Sequence, residues 1–333
     1  MKNKIFSVIF ILLISIVIIS LTVSVSAKDK IIFADAGWDS VRFHNGVAQT
    51  IIEEGYGYPT DVISGSTPAT FLGLKEGDID VYMEIWTTNL GDTYYDPIKE
   101  GVIIETSVNF DDNAQGLYVP TYMIKGDSKR GIKPIAPGLK TVKDLKDYWK
   151  IFKDEEYPSK GRIYGAPPGW KVDLILRAKV KSSDLDEYYN YFSPGSDSAL
   201  GAAIVGAYEK GEPIVAYYWE PTWVMGMLDM TLLEDEPYSA EKWTEEGGYA
   251  CEFAAQDIAI AINKDLPERA PEVVEFLKNY HTTSAMASAS LSYMMENECD
   301  SREAAVWFLK TREDVWTKWV PEEIAEKVKA AIK

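Results

Sequence analysis

Two stretches of the chain, GSTPATFLGLKEGDIDVYMEIW (residues 65–86) and GSDSALGAAIVGAYEKGEPIVAYYW (residues 195–219), follow the same pattern. Each begins with Gly-Ser, continues as a helical segment that ends in a charged turn around a glycine, and closes with an apolar strand ending in tryptophan. A second landmark precedes each stretch, Gly37-Trp38 in one half and Gly169-Trp170 in the other. The ordered set of matches predicts that the chain contains the same structural unit twice.

Short apolar strands alternate with helical stretches around these landmarks. In the first half the strands are 31–34, 61–63 and 79–86 and the helices 39–54 and 68–75; in the second half the strands are 163–165 and 214–219 and the helices 172–181 and 195–209. This alternation is typical of βαβ units in a mostly parallel sheet. We therefore predict an α/β protein of two similar lobes that close on a ligand.

The chain has to pass between such lobes twice. The extended, partly apolar segments 113–120 and 254–260 are the predicted hinge crossovers. With these crossovers, lobe 1 comprises residues 28–115 together with 255–333, and lobe 2 comprises residues 116–254. The amphipathic helical tail from about Pro267 is expected to pack on lobe 1.

Residues 1–27 have the pattern of a targeting segment. Lys2 and Lys4 precede a long apolar run, and Val25-Ser26-Ala27 resembles a small-residue cleavage site. The run is long enough for a signal peptide or for an uncleaved membrane anchor. Either interpretation places the rest of the chain outside the cytoplasm, in the periplasm or at the cell surface.

The composition excludes several functional classes. With 34 basic against 52 acidic residues, the formal net charge of −18 argues against a nucleic-acid-binding protein and favours a cationic or zwitterionic small ligand. The two histidines and two cysteines are too few for a dedicated metal cluster, and no cofactor motif is visible. No nucleophile-base arrangement is evident either, so we expect a binding protein and not an enzyme. Cys251 and Cys299 could form a disulfide or remain two buried thiols.

Four of the ten tryptophans occupy special positions. Trp38, Trp86, Trp170 and Trp219 lie at or just after predicted strand ends, and the repeat makes them equivalent in pairs. Because ligands of open α/β sheets bind beyond the carboxyl ends of the strands, we expect all four to face one cleft. The tryptophans outside the repeat are expected to be packing residues.

Several indole faces together favour a quaternary-ammonium ligand. Such a cation has no N–H donor, but aromatic faces attract it and bury its methyl groups. The backbone N–H groups of Lys171 and Val172, where a helix begins, could hold a ligand carboxylate. Glu84, two residues before Trp86 on the same side of the strand, could approach the cationic head, although a solvated carboxylate fits the pattern equally well. Tyr217 and Trp223 could line the site or pack beside it.

These residues resemble the glycine betaine/choline-type substrate-binding proteins of ABC importers. The resemblance covers the chain after residue 27 and is carried by Gly37-Trp38-Asp39-Ser40, Gly77-Asp78-Ile79-Asp80, the segment 114–122, Pro168-Gly169-Trp170 and the segment 218–223. It implies a bilobed periplasmic-binding-protein (Venus-flytrap) fold, ABC permease and ATPase subunits as partners, and a trimethylammonium cage formed here by Trp86, Trp170 and Trp219. It also implies carboxylate capture by the backbone of Lys171 and Val172.

One position departs from the family pattern. Some betaine-binding members carry a histidine four residues after the first cage tryptophan, where this chain has Leu90. Glycine betaine is the expected ligand, while choline, carnitine and trimethylamine N-oxide remain open. An unrelated amino acid is a distant alternative. A site for such a ligand would require an Asp/Arg pair, and Arg42 and Arg177 are the only arginines near the motifs.

Overall fold

The computed structural model describes residues 28–333, and two five-stranded sheets with flanking helices make up its architecture. The predicted signal peptide or anchor, residues 1–27, lies outside the described residues. The strands are β1 Ile31–Asp35, β2 Thr60–Ser64, β3 Val81–Trp86, β4 Ile103–Phe110, β5 Ala114–Pro120, β6 Gly161–Tyr164, β7 Tyr189–Phe192, β8 Ala216–Glu220, β9 Met230–Leu232 and β10 Ile258–Asn263.

The two sheets have equivalent strand orders. The first is β2-β1-β3-β10-β4 and the second is β7-β6-β8-β5-β9. In each sheet the first three strands are parallel, and the fourth pairs antiparallel with both of its neighbours. The structure thus confirms the predicted repeat, and we call the part built on each sheet the first and the second lobe.

The antiparallel strand of each sheet is the one that arrives from the other lobe. The chain leaves the first sheet after β4 and enters the second as β5, through residues 111–113. It returns along the irregular segment 233–257 and enters the first sheet as β10. Both predicted hinge segments therefore lead directly into a strand of the lobe that they enter.

Helices cover both sheets. They are α1 Asp39–Ile51, α2 Thr67–Glu76, α3 Thr87–Leu90, α4 Asp92–Lys99, α5 Thr121–Lys125, α6 Leu145–Tyr148, α7 Lys171–Ser182, α8 Asp197–Lys210, α9 Trp223–Met227, α10 Leu266–Arg269, α11 Pro271–Asn279, α12 Ser284–Glu296, α13 Ser301–Thr311, α14 Glu313–Trp316 and α15 Glu322–Ala331, with a π-helical turn at Ile52–Tyr56 and 3-10 turns at Val142–Asp144 and Leu185–Glu187.

The helices that follow β10 pack on the first sheet. Phe43 and Val47 of α1 share a fully buried cluster with Phe308 of α13. Gly46 allows this close approach, because a Cβ there would lie 2.9 Å from the carbonyl oxygen of Ser301. A second apolar cluster runs from the first lobe through the cleft into the second and includes Trp38, Trp170 and Trp219.

The structure differs from the sequence prediction in a few places. Strands β4, β7 and β9 were not predicted, because β4 lies at the sheet edge with mixed exposure, β7 has only four residues and β9 has only three. The helix predicted over 39–54 changes to π geometry at Ile52 and ends where Gly57 adopts a left-handed conformation (φ 74°).

The two cysteines are free thiols. Cys251 is buried in the segment between β9 and β10, and Cys299 is half-buried after α12. Of the two possibilities left open by the sequence, the structure therefore has the unbridged one.

Residues 28–333 contain no helix that is both long and apolar enough to cross a membrane. Within the same range, no three or more His, Cys, Asp and Glu side chains are grouped as metal ligands.

Candidate ligand-binding site

A largely apolar cavity lies between the two lobes, at the carboxyl ends of β1, β3, β6 and β8. Its walls combine residues from both halves of the repeat. It is lined by Trp38, Thr67, Tyr82, Glu84, Ile85, Trp86, Asn89, Leu90, Trp170, Lys171, Val172, Tyr217 and Trp219.

Two of the tryptophans occupy the same local structure in the two lobes. Trp38 and Trp170 are the N-cap residues of α1 and α7, both with extended backbone angles. The glycine before each has a positive φ, 100° at Gly37 and 92° at Gly169, a conformation that L side chains rarely adopt. The sharp strand-to-helix turn therefore places an indole at the cavity from each lobe.

The ring planes form perpendicular walls. The centroids of Trp38 and Trp170 are 5.4 Å apart at an interplanar angle of 81°, and those of Trp170 and Trp219 are 5.1 Å apart at 80°. Tyr217 stacks on Trp219, with a centroid distance of 5.9 Å and an angle of 21°. Trp86, the last residue of β3, packs its ring edge-on against Phe110 and also lines the cavity.

Glu84 in the middle of β3 joins two of these walls. Its Oε1 accepts hydrogen bonds from Trp38 Nε1 (2.8 Å), Trp86 Nε1 (3.0 Å) and Ser40 Oγ (3.0 Å). The side chain is fully buried. Burial raises the pKa of its carboxyl to about 7, although the three donors favour the ionised form.

The N-terminal end of α7 also borders the cavity. Lys171 and Val172 are the first two residues of this helix, and both line the cavity. The first N–H groups of an α-helix have no acceptor within the helix and carry a partial positive charge. This end of the cavity can therefore receive an anionic group.

Hydrogen bonds between the lobes close the cleft beside the tryptophans. The backbone N–H of Thr67 donates to the carbonyl oxygen of Gly169 (3.2 Å), and the backbone N–H of Asp39 donates to Asp197 Oδ2 (3.4 Å). Trp243, from the returning segment, donates its indole N–H to the carbonyl oxygen of Thr88 (3.1 Å).

The Asp197 side chain is buried beside these contacts. Burial, and then the negative charge of Asp39, raise its pKa to about 7, while the Asp39 N–H and Arg42 act in the opposite direction. The cleft therefore closes around a carboxyl that is easier to bury when it is protonated.

The structure brings together all seven residues singled out from the sequence, namely Trp38, Glu84, Trp86, Trp170, Lys171, Val172 and Trp219. Tyr217 also lines the cavity, whereas Trp223 packs between the two core clusters. Sequence reasoning did not predict Thr67, Tyr82, Ile85 and Asn89 as site residues. A signal existed for Tyr82, because it alternates with Glu84 and Trp86 on one face of β3.

Comparisons with known proteins bear on the family and the fold of the chain. The family described as the substrate-binding domain of the ABC-type glycine betaine transport system matches residues 29–311. A curated relative, the glycine betaine/proline betaine-binding periplasmic protein of Salmonella typhimurium, is 23% identical over 292 residues, which cover 82% of this chain and 80% of the relative.

Two solved structures share the fold. The glycine betaine, L-proline ABC transporter binding protein of Borrelia burgdorferi has a TM-score of 0.72 at 16% identity and covers 90% of this chain and 99% of its own. An ABC-transporter choline-binding protein in complex with choline has a TM-score of 0.71 at 21% identity, and the alignment covers 91% of this chain and 98% of the choline-binding chain. The predicted bilobed periplasmic-binding-protein fold is thereby confirmed.

Proposed function

The chain belongs to the family of substrate-binding domains of ABC-type glycine betaine transport systems, and we propose that its own ligand is a quaternary-ammonium solute, glycine betaine first, held between the lobes. Family membership makes it the substrate-binding component of an importer of the glycine betaine/choline type and not an enzyme. The identity of the ligand and the use of a tryptophan cage are the proposal.

The arrangement of three indoles carries this proposal. Trp170 stands perpendicular to both Trp38 and Trp219 at centroid distances of 5.4 and 5.1 Å, so the three rings surround a corner of the cavity. Each aromatic face contributes about 0.5–2 kcal/mol to binding of a desolvated cation. Trp86 supplies a further face, and burial of the methyl groups adds about 25 cal/mol per Å².

The polar groups suit a zwitterion with a short spacing between its charges. The cationic head lies among the rings, and the carboxylate accepts hydrogen bonds from the N–H groups of Lys171 and Val172 at the start of α7. Because Leu90 occupies the position where some relatives carry a histidine, the α7 end is the carboxylate site in this proposal. Choline, carnitine and trimethylamine N-oxide are the alternative ligands of the same cage.

We propose that two lobes, residues 28–115 with 255–333 and residues 116–254, hinge about β5 and β10. Binding closes the cleft through contacts such as that of Thr67 with Gly169. The closed form then delivers the solute to the permease and ATPase subunits from the extracytoplasmic side. Residues 1–27 serve as signal peptide or anchor, and uptake of a compatible solute supports osmoprotection.

A thermal-shift series on residues 28–333 tests the proposal. The ligands are glycine betaine, choline, carnitine, trimethylamine N-oxide and proline, with unmethylated glycine as the matched control. A rise in melting temperature with one methylammonium compound and none with glycine supports the cage, because only the methylated head fills it. A shift with proline or glycine alone would contradict the proposal.

A further inference from the structure

Glu84 is a buried carboxylate at the wall of the cavity, and its two oxygens have unlike surroundings. Oε1 accepts three hydrogen bonds, from the indole N–H groups of Trp38 and Trp86 and from the hydroxyl of Ser40. Oε2 is buried and has no hydrogen-bond partner among the described residues. One oxygen therefore orients two walls of the cage, and the other is left unsatisfied.

Among residues 28–333, no basic side chain forms an ion pair with the Glu84 carboxylate. A buried carboxylate without a counter-charge is strongly unfavourable, and neutral donors compensate only part of that cost. The cavity wall is therefore short of one positive charge, which a ligand can supply.

We propose that Glu84 is the counter-ion of the ligand's ammonium head and makes the cage selective for a permanent positive charge over a neutral group of the same shape. This inference rests on the proposed function and deepens it. Because a quaternary ammonium has no N–H group to donate, it compensates the negative charge of Glu84 by electrostatic attraction alone. A tert-butyl group has the same size and methyl surface as trimethylammonium but lacks the charge.

A purely positioning role makes a different prediction. If Glu84 only holds Trp38 and Trp86, glutamine should replace it well, because the amide oxygen accepts the same two indole N–H groups. Charged and neutral ligands would then be affected alike. If the negative charge matters, Glu84→Gln weakens only the charged ligand.

The experiment compares each candidate with its carbon isostere, in which tert-butyl replaces trimethylammonium. Glycine betaine and choline, each with its isostere, are titrated calorimetrically into residues 28–333, wild type and Glu84→Gln. Ser40→Ala is the matched control, because it removes one donor to the same Oε1 but keeps the charge. Melting temperatures show that each variant is folded.

We expect Glu84→Gln to weaken the charged ligand by about 30-fold or more, which corresponds to about 2 kcal/mol, and to leave the isostere unchanged or improved. Ser40→Ala should lower both affinities less than about threefold. Equal losses for both ligands, or no loss, would overturn the inference while leaving the proposed function intact. If neither glycine betaine nor choline binds the folded wild type, the proposed function itself fails.

A measurement on the wild type covers the case in which Glu84→Gln does not fold. Burial raises the pKa of Glu84 to about 7 in the closed cleft, so binding of a cation that ionises Glu84 at about pH 6 should release about half a proton or more per site in excess of binding of the neutral isostere. Calorimetry in buffers of different ionisation enthalpy measures this release.

The difference between a ligand and its isostere isolates Glu84 from the other charges nearby. Tyr82, Tyr280 and Asp197 interact electrostatically with Glu84, and Lys171 lines the same cavity. Their contribution to closure is common to both ligands of a pair. Excess proton release by the charged member supports the inference, and equal release contradicts it.

Discussion

The backbone N–H of Thr67, at the start of α2 in the first lobe, donates a hydrogen bond to the carbonyl oxygen of Gly169 in the second lobe, with an N···O distance of 3.2 Å. Asp197, the first residue of the equivalent helix α8, accepts the backbone N–H of Asp39 across the same cleft. Each lobe thus uses the start of one helix to hold the turn that carries a cavity-lining tryptophan of the other lobe.

We expect Gly169→Ala to weaken ligand binding. The residue has a φ of +92°, and an added Cβ would lie 3.1 Å from the Cβ of Ser66 in the opposite lobe. Backbone strain of about 1–2 kcal/mol disfavours the turn, and the contact with Ser66 lies across the cleft, where it opposes closure. Calorimetry should show a 5–30-fold loss of affinity, on the order expected for that energy.

Gly206→Ala is the matched control for this change. Gly206 lies within α8, and a Cβ there meets no atom within 4 Å. This variant should bind like the wild type and melt slightly higher, because alanine is the better helix former. Unchanged affinity of Gly169→Ala would show that the turn does not govern closure.

Asp197 should make closure dependent on pH. Its carboxyl has a pKa of about 7 in the closed structure, chiefly because of burial and of Asp39. A pKa that is higher in the closed form means that protonation stabilises closure. That contribution is complete below the usual carboxyl range, about pH 4, and is lost as the pH rises through about 7.

Asp197→Asn tests this dependence. At about pH 8 the variant should bind at least about tenfold more tightly than the wild type, and the advantage should shrink towards about pH 5. The ratio of the two dissociation constants isolates Asp197, since the neighbouring charged groups Asp39, Arg42 and Glu84 are present in both proteins. A ratio that does not change with pH would contradict the prediction.

Trp170→Ala should weaken ligand binding much more than it lowers the stability of the folded protein. Trp170 contacts both Trp38 and Trp219 in the cavity, so its loss takes away one cation–π face and loosens two others. An affinity loss of about 30-fold or more is expected, since each face and its buried area contribute up to about 2 kcal/mol.

Trp307→Ala provides the comparison for Trp170→Ala. Trp307 stacks on Tyr293 at a centroid distance of 4.6 Å, outside the cavity. The Trp307→Ala variant should have a lower melting temperature than the wild type and an unchanged dissociation constant for the ligand. Equal losses of affinity in Trp170→Ala and Trp307→Ala would indicate a general effect on folding.

The two thiols should react at different rates. Cys251 is fully buried, and Cys299 is half-buried with a pKa raised by burial and by Glu303 and Asp300. Thiol titration without reductant should therefore detect one slowly reacting group in the native protein and two after denaturation. Detection of none in the denatured protein would reveal a disulfide.

The repeated pattern of the sequence predicted that Trp38, Trp86, Trp170 and Trp219 meet at one cavity, because the position of each depends on local structure. Gly37-Trp38 and Gly169-Trp170 are strand-to-helix turns, and Trp86 and Trp219 lie at the ends of strands. The alternation of apolar strands and helices was sufficient to place these residues at one edge of each sheet.

The sequence pattern could not predict the contacts between the two lobes. The approach of Asp39 to Asp197 and the use of Thr67 depend on how the two units dock, which no local periodicity records. Glu84 was predicted from its position two residues before Trp86 as a carboxylate that could approach the cationic head of the ligand. Its hydrogen bonds to Trp38 and Ser40 join β3 to α1, and they follow from the packing of the helix on the sheet.

Isothermal titration of residues 28–333 with glycine betaine tests the central claim most directly. We predict one site per chain with a dissociation constant in the micromolar range or below, which corresponds to a binding free energy of about −8 kcal/mol or a more negative value. Choline, carnitine or trimethylamine N-oxide binding in its place would keep the cage and change the substrate. No heat with any of these four ligands, from a folded protein, would contradict the account.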